Sequence, residues 1–278
     1  MRKALFFLIC VLAVFISKAQ KIPAGYQLVW ADEFTKDGPP DPANWTYEKG
    51  FVRNQEFQYY QPENVWCEKG LLIIEARKEN KPNPMYVANS NDWRKSRPGI
   101  EYSSACILTR GLQKWQYGRF EMRARIDISA GLWPAWWTLG SSKEWPANGE
   151  IDIMEYYRGK LLANIACLGP DRKPEWFSNT FSTDSLGGKG WAKQFHVWRM
   201  DWDEHAIALY LDDQLLNKVT LDKLINKDGS HFQPFAQPHY MLLNLAIGGQ
   251  NGGDPSQTFF PNRFEVDYVR VYQKVPIP

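Results

Sequence analysis

From Gln27 onward the apolar and aromatic residues come in short runs separated by Gly, Pro, Asn and Asp, and no stretch carries the i, i+3, i+4 spacing of a long helix. Gln27 to Trp30, Leu71 to Ala76, Ala105 to Thr109, Arg119 to Ile126, Ala135 to Leu139 and Tyr268 to Tyr272 therefore read as strands. Polar and apolar positions alternate from Arg119 to Ile126, the pattern of an antiparallel strand with one wet face. Ile207 to Leu211 and Gln214 to Leu216, joined by Asp212-Asp213, form a hairpin pattern. The class this predicts is all-β. No internal repeat and no low-complexity linker divides the chain, so residues 20–278 are expected to form a single domain.

One strand-like stretch breaks the alternation in an informative way. In Glu150-Ile-Asp152-Ile-Met-Glu155, Glu150 and Asp152 share a face while Ile151 and Ile153 point away, and strict parity would send Glu155 to the opposite side. A β-bulge absorbing one residue near Ile153 or Met154 returns Glu155 to the face of the other two. Three carboxylates in a row suit retaining glycoside hydrolysis, in which one carboxyl attacks the anomeric carbon and another protonates the leaving oxygen and later activates water. Asp152, between them, would accept a hydrogen bond from one of them and help keep the protonation states of the outer pair apart. An edge strand with a charged solvent face satisfies the same alternation. The neighbours favour the site: Trp145, Tyr156-Tyr157 and Trp133-Pro-Ala-Trp136-Trp137 surround the acids with rings suited to stacking on sugars.

Composition adds to this picture. Thirteen Trp and thirteen Tyr in 278 residues exceed what a core of this size requires, which points to an aromatic-lined surface. A formal net charge of +2 gives no concentrated basic patch for nucleic acid and suits an uncharged polymer. Arg2 and Lys3, an apolar run from Ala4 to Ile16 and small residues before Gln20 read as a cleavable signal peptide over residues 1–19. Export to the periplasm or beyond follows, with no membrane span in the mature chain. Cys10 falls in the apolar run without the small residues of a lipoprotein site. Cys67, Cys106 and Cys167 then remain, enough for one disulfide at most, or three buried thiols. The four His residues show no metal spacing, and His196 reads as a packed strand residue.

Gly149-Glu150-Ile-Asp152-Ile-Met-Glu155 resembles the catalytic motif of glycoside hydrolase family 16 in its bulged form. The resemblance runs from about Tyr26 to Tyr272 and follows the bacterial β-1,3-glucanase (laminarinase) branch. Its further marks are Trp30-Ala-Asp-Glu-Phe34, Gln58-Tyr59-Tyr60, Tyr117-Gly-Arg-Phe-Glu121, Asn244-Leu-Ala-Ile-Gly-Gly249 and Val266-Asp-Tyr-Val-Arg-Val-Tyr272. It implies a β-jelly-roll sandwich of two antiparallel sheets with a substrate cleft on the concave one. By position it implies Glu150 as nucleophile, Asp152 as its helper and Glu155 as acid/base, in an endo-acting, retaining β-glycosidase that needs no catalytic cofactor and acts as a monomer on a polysaccharide.

The same resemblance places Asn54, Trp133, Trp137 and Trp145 along the glycone side or floor of the cleft, with Trp115 as a further candidate. Trp136, out of phase with Trp133 and Trp137, should face the core. Many family members hold a structural calcium through the position of Asp267; a buried, hydrogen-bonded Asp is the alternative. Two positions depart from the laminarinase pattern, with Asn164-Ile-Ala-Cys167 where a His is usual and Gln250-Asn251 where Asn-Trp is usual. β-1,3- or mixed β-1,3/1,4-glucan is the expected substrate; a β-galactan or host poly-N-acetyllactosamine is the alternative, and a non-catalytic carbohydrate-binding jelly roll is a second one. Two long connections, Lys78 to Pro98 and Leu168 to Trp191, would either wall the cleft or be plain surface insertions.

Overall fold

The computed structural model describes residues 22–275, so the signal peptide and Cys10 lie outside the described residues. Two sheets pack face to face. The first has ten strands in the order Gln214–Thr220, Ala206–Leu211, His196–Trp202, Gly118–Arg125, Asn262–Lys274, Leu71–Pro82, Gly99–Ser104 and Gln58–Tyr60, with Tyr26–Asp32 and Val65–Glu68 paired alongside. The second has seven, in the order Pro174–Ser182, Lys160–Leu168, Glu150–Tyr157, Leu132–Gly140, His239–Ile247, Cys106–Leu108 and Thr46–Tyr47. This is the expected sandwich, with one exception to its antiparallel pairing: Gln58–Tyr60 runs parallel to Gly99–Ser104.

The core lies between the sheets. Phe120, Met122 and Ala124 enter it from the alternating Gly118–Arg125 strand, and Trp136, Ile151, Ile153, Met154, Met241 and Leu243 enter from the second sheet. Trp136 is fully buried there, as its phase requires. The polar set of Gly118–Arg125 faces outward, where Arg119 forks onto Asp201 and Tyr268 Oη donates to Glu121. Arg123 takes Asp267 on that same outer face, at a bulge between Val266 and Tyr268. The calcium expectation therefore finds no support: Asp267 already has a cationic partner, and among the described residues no three His, Cys, Asp or Glu side chains gather to hold a metal.

Trp115, the further candidate, is only 8% exposed and packs in the between-sheet core against Trp30 and Phe120. Cys67, Cys106 and Cys167 are buried free thiols, and His196 is packed between Asp212 and the Trp191 carbonyl. Among the described residues no helix is long and apolar enough to cross a membrane.

The two long connections turn out differently from each other. Most of Leu168 to Trp191 is regular structure, because Pro174–Ser182 pairs residue for residue with Lys160–Leu168 as the edge of the seven-stranded sheet. The other connection folds onto itself beyond Pro82. Asn83 Nδ2 donates to the Arg94 and Arg97 carbonyls, and a short helix at Trp93–Ser96 is capped by Asp92.

Candidate active site

The Glu150–Tyr157 strand lies in the second sheet between Leu132–Gly140 and Lys160–Leu168. Its register against both neighbours shifts after Asp152, which is the bulge that the spacing of the acids predicts. Ile151, Ile153, Met154 and Tyr156 go to the between-sheet core, leaving Glu150, Asp152 and Glu155 to the opposite face. Across the strands, Glu150 stands between Leu139 and Ala166, Asp152 between Trp137 and Asn164, and Glu155 between Ala135 and Leu162.

Glu155 and Glu150 are each held by side-chain donors. Trp133 Nε1 donates to Glu155 Oε1 at 2.7 Å, and Asn164 Nδ2 donates to Oε2 at 3.0 Å. Trp145 Nε1 donates to Glu150 Oε2. Burial raises the affinity of all three acids for protons, since a charge is disfavoured away from water. Asp152 is pushed well above the carboxylate range, by burial first and then by the charges of Glu150 and Glu155 on either side. Glu150 is raised less, because the Trp145 and Asp152 hydrogen bonds and the Arg53 charge oppose its burial. Glu155 is pushed up to about 7 by burial, with the Glu150 charge adding and the Trp133 and Asn164 bonds opposing.

Asp152, the acid raised furthest, by burial and by the charges on either side, is hydrogen-bonded to Glu150. At neutral pH Glu155 stands near half-protonation, where one group can both give and take a proton. The arrangement offers a carboxylate free to attack and a second group able to alternate as acid and base.

Asn54 joins this site through a buried polar chain. Its Nδ2 donates to Glu56 Oε1 at 3.2 Å, and Glu56 Oε2 accepts from Gln58 Nε2 at 2.6 Å and Tyr60 Oη at 3.3 Å. Asn244 donates in turn to Tyr60 Oη at 3.2 Å and accepts from Trp137 Nε1 at 2.8 Å. The Arg53 guanidinium lies 5.2 Å from the Trp137 ring centre, a cation–π distance. Asn54 and Gln55 both take left-handed backbone, with φ of 53° and 51°. Four hydrogen bonds from the Asn83–Pro98 segment hold that turn: Arg94 Nε and Nη2 reach the Val52 carbonyl, and Arg97 reaches the carbonyls of Gln55 and Glu56 at 2.9 and 2.6 Å. Gly249 closes the other side, where a Cβ would stand 2.7 Å from the Asn54 carbonyl oxygen.

The structure therefore brings Asn54, Trp133, Trp137 and Trp145 together with the three acids. Trp133 and Trp137 are only 6% and 8% exposed and use their ring nitrogens on the site, whereas Trp145, at 48%, presents an open ring. Sequence reasoning did not assign Asn164, Glu56 or Arg97 to the site. Asn164 stood out only as a departure from the laminarinase pattern, and a cross-strand register is needed to aim it at Glu155.

The model of the glycosyl hydrolases family 16 matches residues 58–270. The chain belongs to that family. It is 38% identical over 275 residues to a beta-glucanase of Rhodothermus marinus, covering 90% of this chain and 86% of that one. Among solved structures, an endo-acting O-glycanase study of human gut microbiota supplies a fold matching 92% of this chain and 93% of its own at 32% identity and a TM-score of 0.82. The laminarinase catalytic domain of Thermotoga maritima matches 90% of this chain and 99% of its own at 31% identity and a TM-score of 0.73. The sandwich is thus the family's jelly roll, and the protein is a glycoside hydrolase of the retaining type, which needs no catalytic cofactor.

The clamp on the Asn54 turn makes a prediction for the enzyme. Arg97→Ala removes two charge-assisted bonds to carbonyls, so the turn loosens while the acids keep their partners. KM for a polymer is expected to rise about three- to tenfold with kcat changed by less than about twofold. Steady-state kinetics with kcat falling as steeply as kcat/KM would show instead that the turn acts on the chemical step.

Proposed function

We propose that this family 16 enzyme is an endo-acting β-glycosidase that cleaves internal β-1,3 or mixed β-1,3/1,4 links of a β-glucan, exported and acting as a monomer. Glu150 is the nucleophile, Asp152 the helper that shares its proton with Glu150, and Glu155 the acid/base. Asn54, Trp133, Trp137 and Trp145 form the binding surface. The observation that carries the chemistry is the bulge, because all three carboxylates then share one face, with Trp133 and Asn164 donating to Glu155 and Trp145 to Glu150. A carbohydrate-binding module would have no use for an acid raised to about 7 and held by two donors. The Rhodothermus marinus beta-glucanase supports glucan as the substrate, with 86% of its length matched.

A second reading, an endo-acting O-glycanase cutting β-galactosyl links in host glycans, is favoured by one observation: the TM-score of 0.82 to the gut-microbiota structure at 32% identity. Laminarin, lichenan, agarose, galactan and mucin glycans incubated with purified enzyme separate the two. The expected result is rapid loss of viscosity of laminarin and lichenan with mixed oligosaccharides from the first minutes. Cleavage of mucin glycans alone would establish the second reading, and monosaccharide as the sole early product would overturn the endo assignment.

A further inference from the structure

The edge strand Pro174–Ser182 carries one residue that neither the core nor the site already described explains. Its register pairs Trp176 with Ala166, and Ala166 with Glu150 on the next strand, so Trp176 lies in the cross-strand row of Glu150 and on the face that bears the acids. Phe177 and Phe181, on the other face, pack against the between-sheet core. After Trp176 the positions on the acid-bearing face of this strand, Ser178, Thr180 and Ser182, are polar and exposed. Trp176 stands among them 43% exposed. Single exposed apolar side chains are ordinary. A half-open indole on a sheet edge is less so, because such edges are normally kept polar to avoid pairing with another chain.

Its place in the sheet gives the indole a use. Asn54, Asn244 and Trp137 belong to one side of the catalytic strand, through Leu132–Gly140, His239–Ile247 and the segment before Gln58. Trp176 lies two strands away on the other side, roughly 10 Å from Glu150 at the usual strand spacing. That reach carries a glycan past the sugar at the acids to a following one.

We propose that Trp176 is the stacking platform of a subsite for a pyranose ring on the arm of the cleft opposite Asn54 and Trp137. With those two on the glycone side, Trp176 takes a sugar of the aglycone. This rests on the catalytic reading of Glu150 given above. The subsite favours substrates that extend beyond the leaving sugar, which is the requirement for cutting within a chain. It also holds a sugar acceptor in place against the glycosyl-enzyme.

Two substrates that differ only in the aglycone test it. One is the polymer that the wild-type enzyme cleaves fastest among laminarin, lichenan and mucin glycans. The other is an aryl glycoside of the matching oligosaccharide, whose leaving group ends at the aryl ring. In Trp176→Ala the ratio of kcat/KM for polymer to that for aryl glycoside should fall about three- to tenfold, and transfer to added oligosaccharide should fall with it. Trp176→Phe, which keeps a ring and strand propensity, should restore most of the ratio and controls for folding. An unchanged ratio in Trp176→Ala would overturn the subsite, as would an equal loss on both substrates. Cleavage of none of the polymers by the wild-type enzyme would instead defeat the catalytic reading, so the two failures are told apart.

Discussion

Glu150→Gln is expected to lower polymer cleavage by at least about a thousandfold while leaving the sandwich folded. An amide of the same shape cannot form the glycosyl ester, and its oxygen still accepts from Trp145 Nε1. The fold should not suffer, and the sign of the pKa shift says why. Burial raises Glu150 above its ordinary value, so ionised Glu150 costs stability above that value and the cost disappears as pH falls below it. Removing the charge should therefore leave Tm at pH 8 equal to or above that of the wild type. Asp152→Asn, which keeps a donor toward Glu150, should retain more activity than Glu150→Gln. Thermal melts with polymer assays on the two variants check the ordering, and wild-type hydrolysis by Glu150→Gln would end the nucleophile assignment.

What the sequence disclosed was the catalytic strand, and for a local reason. Strict alternation would part Glu155 from Glu150 and Asp152, so a single bulge near Ile153 or Met154 was the local feature that would set all three acids on one face, and the register has it there. The phase of Trp136 against Trp133 and Trp137 was legible on the same ground. The edge strand Pro174–Ser182 was not. An edge strand buries one face and pairs on one side, so most of its other positions are polar and read as a connection, with Phe177 and Phe181 the only sign of a core-facing side. Trp115 lies in Gln113-Lys-Trp-Gln-Tyr117, where no alternation tells cleft from core. Arg94 and Arg97 act through carbonyls about forty residues earlier, and Asn164 acts through the register of a neighbouring strand; contacts of that kind follow from pairing and not from local pattern.

Glu155→Ala should divide substrates by leaving group. Polymer cleavage needs a proton on the departing oxygen and is expected to fall about 10²- to 10⁴-fold, whereas an aryl glycoside with an acidic phenol leaves unaided and should lose far less in its first step. The second step needs a base to activate water, and azide, already anionic, needs none. The substitution leaves Trp133 Nε1 and Asn164 Nδ2 facing the space of the lost carboxylate, and two donors there favour an anion. Azide should restore turnover and yield a β-glycosyl azide, the product of two inversions. In the wild type, kcat/KM for polymer should decline above pH about 7 as Glu155 gives up its proton, and that decline should be absent from Glu155→Ala acting on the aryl glycoside. Glu155→Gln supplies an independent check through stability. Because the folded-state pKa of Glu155 is raised, its ionisation costs stability as pH climbs through 7, so the uncharged variant should melt several degrees higher at pH 8 and lose that advantage by about pH 4. The amide can be accommodated: Asn164 Oδ1 is buried without a partner, and a half-turn of its side chain would let it accept from the new NH2. A melting temperature at pH 8 no higher than that of the wild type would show that Glu155 is not raised. An α-glycosyl azide would overturn its role in a double displacement.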